Sequence, residues 1–125
     1  MQLVTVETKD LIGRALDWAV AEHVTGMLMT GTSPLDRLGD YAPSTNWAYG
    51  GFVLEMCKVE IAYFGGKVRA CIQEVTKHSE VYTTSAYTSF YAEPDGTLLV
   101  AMRAAVQKVA GSRVSVPAEL LGVFV

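Results

Sequence analysis

Residues 10–26, DLIGRALDWAVAEHVTG, carry the pattern that decides the fold class. Their apolar side chains recur every three or four residues, which is the spacing of an amphipathic helix. The residues of this apolar face are Leu11, Ile12, Ala15, Leu16, Ala19, Val20 and His23. The residues of the opposite, polar face are Arg14, Asp17 and Glu22. We therefore predict a helix that is capped by Thr8 or Asp10 and stopped by Gly26.

A second amphipathic helix is predicted near the other end of the chain, after the turn formed by residues 94–96. Thr97 is its candidate cap, and Gly111 follows it as a stop. Its apolar face consists of Leu98, Leu99, Ala101, Met102, Ala105, Val106 and Val109. Its opposite face consists of Arg103, Gln107 and Lys108.

Runs of β-branched and aromatic residues predict strands around these helices. The runs are 1–7, 68–75, 81–91 and 114–116, while 52–64 is interpreted as a short helix passing into a strand and 117–121 as a final turn. Helices at either end of hairpin-connected strands favour an α+β fold. We predict a single domain over residues 1–125, with a small, mostly antiparallel sheet and two main amphipathic helices packed on it.

The composition excludes several classes of protein. Half of the residues are hydrophobic and 18% are charged, which is typical of a packed globule. The net charge is −3 and the ten basic residues are scattered, which disfavours nucleic acid as a partner. Cys57 and Cys71 match no metal-ligand spacing and make no disulfide scaffold. The chain shows no signal peptide and no membrane-spanning run, so we expect a cytoplasmic protein without a membrane partner.

The polar stretch from Tyr41 to Gly51 is the candidate site. It closes a segment, 27–49, that is rich in Gly, Pro, Ser and Thr, and long loops of this kind are usually functional. The candidate ligand-binding residues are Tyr41, Ser44, Thr45, Asn46, Trp47, Tyr49, Gly50, Gly51 and Arg103. The aromatic rings could stack on a ring, the small polar groups could bind its edges, and the glycine amides could contact a phosphate. Arg103 would supply a cation if the second helix docks nearby.

A purely structural interpretation of the same stretch is also open. In that interpretation Pro43 fixes a turn, and Ser44, Thr45 or Asn46 caps a helix. Trp47 would then fill the core.

Four stretches of the chain resemble a family of small bacteriophage proteins, the NinX-like proteins, whose function is unknown. The stretches are residues 10–21, 41–51, 98–103 and 116–119. The sequence YAPSTNWAYGG at 41–51 is the most specific of them, although Asn46 stands where the family has an Asp and Tyr49 where Gln is common. The resemblance implies a phage or prophage product in the bacterial cytoplasm, encoded beside recombination and replication genes. It implies no biochemical activity.

No catalytic residue, metal ligand or cofactor is assigned from the sequence. His23 is interpreted as a core histidine and His78 as part of a solvated turn, and neither glycine pair belongs to a phosphate-binding motif. A rival hypothesis, a small hydrolase or transferase, requires one of these histidines within hydrogen-bonding reach of Ser44, Thr45 or a carboxylate.

We therefore expect a non-enzymatic accessory protein that binds a host or phage partner, or a small ligand, through residues 41–51. A protein-binding module would expose apolar side chains such as Phe52, Tyr63 or Phe64. A protein that sequesters a nucleotide-like molecule would instead show a concave pocket lined by Tyr41, Trp47 and Arg103. A homo-oligomer remains open.

Overall fold

The computed structural model of the chain describes residues 2–78, 81–93 and 96–123. Its elements in chain order are β1 (Leu3–Glu7), α1 (Gly13–Val20), α2 (Pro34–Leu38), α3 (Trp47–Met56), β2 (Glu60–Phe64), β3 (Lys67–His78), β4 (Val81–Ala92), α4 (Thr97–Ala110) and β5 (Arg113–Pro117). Short 3-10 turns lie at Thr8–Asp10 and Ala118–Leu120, and a π-helical turn, Ala21–Thr25, extends α1. The predicted α+β fold class is confirmed, as is the passage from a helix to a strand within residues 52–64.

The strands form two antiparallel sheets where one was predicted. β1 pairs with β5, from Leu3 opposite Pro117 to Glu7 opposite Arg113. The other sheet is a meander in the order β2-β3-β4. β1 and β5 form a sheet of their own, and both α1 and α4 contact β5.

Helix α1 is buried along its whole length, from Gly13 to Val20. Arg14 and Asp17, which lie on the face opposite the predicted apolar one, are both buried as well. The predicted caps are wrong, because α1 begins at Gly13 with Ile12 as its N-cap, and Thr8 and Asp10 lie in a separate turn in which the Thr8 hydroxyl donates to the Gly111 carbonyl at 2.7 Å. Helix α4 packs against α1, α3, β3 and β4, which encloses α1 in the core.

Helix α4 begins one residue earlier than its predicted apolar face, after Gly96. Thr97 is therefore its first residue and not its cap, and its side chain is buried. Residues Pro94 and Asp95 of the predicted turn lie outside the described part of the chain. Val109, which was expected on the apolar face, is exposed. No helix within the described ranges is long and apolar enough to cross a bilayer.

The segment 27–49 is more ordered than the prediction of one long loop. Helix α2 begins at Pro34 and is capped by Ser33, whose hydroxyl accepts a hydrogen bond from the Asp36 amide at 3.1 Å. A Ser cap followed by Pro is a favourable helix start. The helix has only five residues, too few for a hydrophobic period to be visible in the sequence.

Candidate functional site

A buried ion pair on α1 holds residues 39–44 in place. Arg14 Nη1 donates to Asp17 Oδ2 at 2.9 Å and to the Tyr41 carbonyl at 3.0 Å. Arg14 Nη2 donates to the Gly39 carbonyl at 2.7 Å. Asp17 Oδ1 accepts a hydrogen bond from the Ser44 amide at 2.9 Å. The two charged groups thus fix the backbone of the chain that leads into the candidate site.

This pair is almost fully removed from water. The side chains of Arg14 and Asp17 are 7% and 2% exposed. Burial raises the pKa of Asp17, against the opposite effect of its hydrogen bonds to Ser44 and of the Arg14 charge. Because an unpaired buried charge is costly, each member of the pair depends on the other. The two residues therefore have a structural role.

Asn46 and Gly50 are also used by the fold. The Asn46 side chain accepts a hydrogen bond from the Ala48 amide at 2.9 Å, so it is the N-cap of α3. The Gly50 amide donates to the Asn46 carbonyl at 2.8 Å and is not available to a phosphate. A Cβ at Gly50 would clash with the Pro43 carbonyl oxygen and would lie 2.7 Å from a methyl group of Leu98. Glycine is therefore required where α3 packs on residue 43 and on α4.

Tyr41 and Tyr49 form one wall of a cleft. Their rings meet edge to face, with centroids 5.1 Å apart. The Tyr41 hydroxyl lies 3.0 Å from the Thr25 hydroxyl, at the end of the π-helical turn. Burial raises the pKa of Tyr41, although the hydrogen bond to Thr25 acts in the opposite direction. The phenol is therefore neutral at physiological pH.

The cleft opens between α3, which carries Tyr49, and the residues that face it, Tyr41 and those at 24–27, and it has a volume of about 490 Å³. It is lined by Val24, Thr25, Met27, Tyr41, Ala48, Tyr49, Phe52 and Met56. None of these side chains carries a charge. Three of them form an exposed rim: Met27 is 51%, Phe52 64% and Met56 45% exposed. The site is thus an apolar hollow whose apolar surface continues outward onto the molecule.

Helix α3 is apolar on both of its sides. Its buried residues are Gly50 and Val53, yet Trp47, Phe52 and Met56 on its outer surface are exposed. Glu55 is its one charged residue. A helix that is hydrophobic all round is normally covered on all sides, so the outer surface of α3 has the composition of a contact surface.

Trp47 does not fill the core, and the structural interpretation of this residue is wrong. The side chain is 58% exposed. Helix α3 approaches the core through Gly50, which brings its backbone too close to Pro43 and Leu98 to seat an indole between them. Trp47 is also absent from the lining of the cleft.

Arg103 belongs to another part of the molecule. Its Nε donates to the Leu11 carbonyl at 2.8 Å, at the approach to α1. Burial lowers the pKa of Arg103, and the nearby charge of Asp10 acts in the opposite direction. The guanidinium therefore supports the backbone before α1 and is not part of the cleft lining.

The remaining candidate residues lie beside the cleft. Thr45 is exposed and Gly51 half-buried, and Ser44 is buried against Asp17. The lining residues that sequence reasoning missed are Val24, Thr25, Met27, Ala48 and Met56, whereas Phe52 was expected as an exposed residue of a protein-binding module and is exposed. One signal could have found Ala48 and Met56: residues 47–56 are apolar without a period, which indicates a helix that needs contacts on more than one side.

The groups that the enzyme hypothesis requires are not brought together at the cleft. His23 Nε2 lies 3.6 Å from Glu22 Oε2, longer than a hydrogen bond, and His23 does not line the cleft. The His78 side chain lies outside the described part of the structure. Across residues 2–78, 81–93 and 96–123 no three potential metal ligands form a group. Cys57 and Cys71 are buried, as predicted for apolar thiols.

Comparisons with known proteins assign no family to the chain. No protein-family model matches it, and no curated protein sequence matches it.

Proposed function

We propose that this is a non-enzymatic binding protein whose cleft between Tyr41 and α3 holds the apolar face of an amphipathic helix from a partner protein. One observation carries the proposal: the uncharged cleft is continuous with the exposed side chains of Met27, Phe52 and Met56. The sequence placed binding in the polar loop at 41–51. The proposal moves the contact surface to α3 and to the residues that face it.

The size of the cleft alone does not select a protein partner. A volume of about 490 Å³ is within the range of small-molecule sites. The rim favours a larger occupant, because Met27, Phe52 and Met56 expose about half of their surface or more beyond the hollow. Aromatic residues and methionine are enriched in protein interfaces, and methionine adapts its shape to a partner.

The lack of charge in the lining defines the chemistry of the partner. A charged group would lose its water there without gaining an ion pair. The Thr25 and Tyr41 hydroxyls already form a hydrogen bond with each other, so the occupant need not supply a hydrogen-bonding group to them. Apolar side chains at helical spacing would fill the hollow and cover the rim together, which is the usual mode of helix-in-groove recognition.

The source of the partner follows only from the family resemblance. If the chain is a NinX-like phage product, then a bacterial host protein or another phage protein is the natural partner in the cytoplasm. A protein that sequesters a nucleotide-like molecule is the alternative, and a small hydrolase or transferase is a more distant one.

The proposal is tested by titrating the labelled protein with synthetic amphipathic helices and, separately, with nucleotides, followed by heteronuclear NMR. The peptides should shift the amide signals of Thr25 and Tyr49. Ala48→Trp should fill the cleft and Phe52→Ser should remove its rim, each weakening peptide binding at least about tenfold. Val109→Ser, at an exposed apolar position on α4, is the matched control and should leave binding unchanged.

Thermal unfolding measurements distinguish a variant that has lost binding from one that has lost its fold. Phe52→Ser and Val109→Ser should each change the free energy of unfolding by no more than about 0.5 kcal/mol, since both side chains are exposed. Nucleotides that bind while every peptide fails would replace the proposal with the sequestering alternative. Peptides that bind equally well to Ala48→Trp would show that the cleft is not their site.

A further inference from the structure

A second, charged hollow adjoins the cleft at the end of α3. It has a volume of about 420 Å³ and is lined by Phe52, Glu55, Met56 and Lys58. Phe52 and Met56 line the cleft as well, so these two side chains form a wall common to both hollows. An occupant of the cleft that also covers this wall therefore reaches a pair of opposite charges.

Glu55 and Lys58 do not pair with each other. Both are exposed, and neither forms an ion pair within the described ranges. A glutamate and a lysine three residues apart on one helix commonly pair. Here Lys58 lies beyond α3 and has a φ of 54°, so the backbone leaves the helical path that would align the two side chains. Both charges can therefore be met by a partner.

The backbone conformation of Lys58 is itself unusual. Among the described residues it is the only one other than glycine with a positive φ. The chain closes α3 there with hydrogen bonds from the Lys58 amide to the Glu55 carbonyl at 3.2 Å and from the Val59 amide to the Leu54 carbonyl at 2.9 Å. Glycine is the usual residue at this position of such a helix end. Because strained residues are concentrated at functional sites, the position favours a role for the Lys58 charge in binding.

We propose that Glu55 and Lys58 set the direction of the partner helix in the cleft, an inference that rests on the proposed function. The partner helix runs antiparallel to α3, with an acidic residue near its beginning facing Lys58 and a basic residue one turn later facing Glu55. Antiparallel alignment brings the positive N-terminal end of the partner helix to the negative C-terminal end of α3. Acidic residues are favoured in the first turn of a helix, so the partner presents there the charge that Lys58 attracts.

Charge complementarity selects this partner over a helix of one charge. A uniformly acidic helix would place a carboxylate against Glu55, and a uniformly basic helix would place a cation against Lys58. Like charges brought together at an interface disfavour the wrong partner. The hollow should therefore discriminate between helices of the same composition that differ only in the order of their two charges.

The test uses two labelled peptides with the same apolar helical face and the same composition. In the first, an acidic residue beside that face is followed one turn later by a basic residue, and in the second these two residues are exchanged. Fluorescence anisotropy at low salt should show that the wild type binds the first peptide at least about threefold more tightly. Glu55→Lys/Lys58→Glu should reverse this preference. The preference should shrink in both proteins at high salt, because exposed ion pairs are screened.

Two further variants separate the effect of charge from that of folding. Lys58→Gly removes one charge and suits the positive φ, so it should reduce the preference without lowering the melting temperature. Lys9→Glu/Glu119→Lys exchanges two exposed charges outside both hollows and should keep the wild-type preference.

The possible failures are distinguishable. Equal binding of the two peptides by the wild type, or tighter binding of the second, overturns the inference and leaves the proposed function standing. So does a preference that Glu55→Lys/Lys58→Glu fails to reverse. If the wild type binds neither peptide, the proposed function is overturned together with the inference.

Discussion

The candidate site has two halves that behave in opposite ways. The anchored half, residues 39–46, is polar, and its groups are bonded to Arg14, to Asp17 and to the start of α3. The open half, residues 47–56, is apolar, and its large side chains face outward. The polar residues resemble ligand contacts in the sequence, but their polar groups form hydrogen bonds within the protein. The apolar residues resemble core in the sequence but form the surface that is free to bind.

Removal of the Asp17 carboxylate should break the anchored half most severely. Asp17→Ala leaves Arg14 buried without its ion pair and the Ser44 amide without its acceptor. We expect the free energy of unfolding to fall by about 3 to 5 kcal/mol in urea denaturation. Glu55→Ala, an exposed acidic position in the open half, is the control and should change it by no more than about 0.5 kcal/mol. A loss below about 1 kcal/mol for Asp17→Ala would mean that the pair does not hold the loop.

The junction between the halves should respond differently at two adjacent glycines. Gly50→Ala places a methyl group against the Pro43 carbonyl oxygen, which cannot move aside without the backbone. We expect a loss of about 1 to 3 kcal/mol in unfolding free energy. Gly51→Ala meets only the Trp47 ring at 4.0 Å and should stabilise α3 by about 0.5 to 1 kcal/mol. Equal effects at the two positions would contradict the close approach of α3 to the core.

The cap of α3 should give a smaller effect. Asn46→Ala removes the acceptor of the Ala48 amide and should cost about 1 kcal/mol, measured by thermal unfolding. Thr45→Ala, at the exposed neighbouring residue, is the comparison and should cost less than half as much. If the two substitutions are equivalent, the hydrogen bond of the cap contributes nothing measurable.

The pH dependence of the unfolding free energy should give the smallest effect. The pKa of Asp17 is raised in the folded state by burial, so the folded protein binds this proton more tightly than the unfolded chain. The contribution of Asp17 to stability is therefore largest below the ordinary pKa of 3.8 and falls as pH rises through the raised value. Unfolding free energies of wild type and Asp17→Asn, measured from acid to neutral pH, should show the wild-type advantage shrinking. An advantage that grows with pH would mean that Arg14 and Ser44 outweigh burial.

The sequence predicted those elements whose environment matches their own periodicity. Helix α4 is amphipathic and packs with one face on the core, so its range of 97–110 was close to the predicted one. The strands were predicted from their runs of β-branched and aromatic residues, which favour strands. The division into two sheets was not predictable, because the pairing of β1 with β5 depends on residues more than a hundred positions apart.

The sequence predicted where the site lies but not the chemical character of its lining. Tyr41 and Tyr49 do line the cleft, whereas Ser44, Asn46 and Gly50 support it from behind. Two buried charges on a helix look like a solvated face in the sequence, since only tertiary structure can supply the carbonyls that Arg14 binds. Arg103 was misplaced because the sequence does not show which loop faces the middle of α4.

The pairing of β1 with β5 has a consequence for synthesis. β1 leaves the ribosome before its partner β5, in which Ser115, opposite Thr5, is made 110 residues later. At the usual rates of translation, β1 waits roughly 5 to 20 seconds for a partner. Helix α1 also packs against β5, so its burial is incomplete for the same interval. The nascent chain should therefore remain sensitive to protease until β5 emerges.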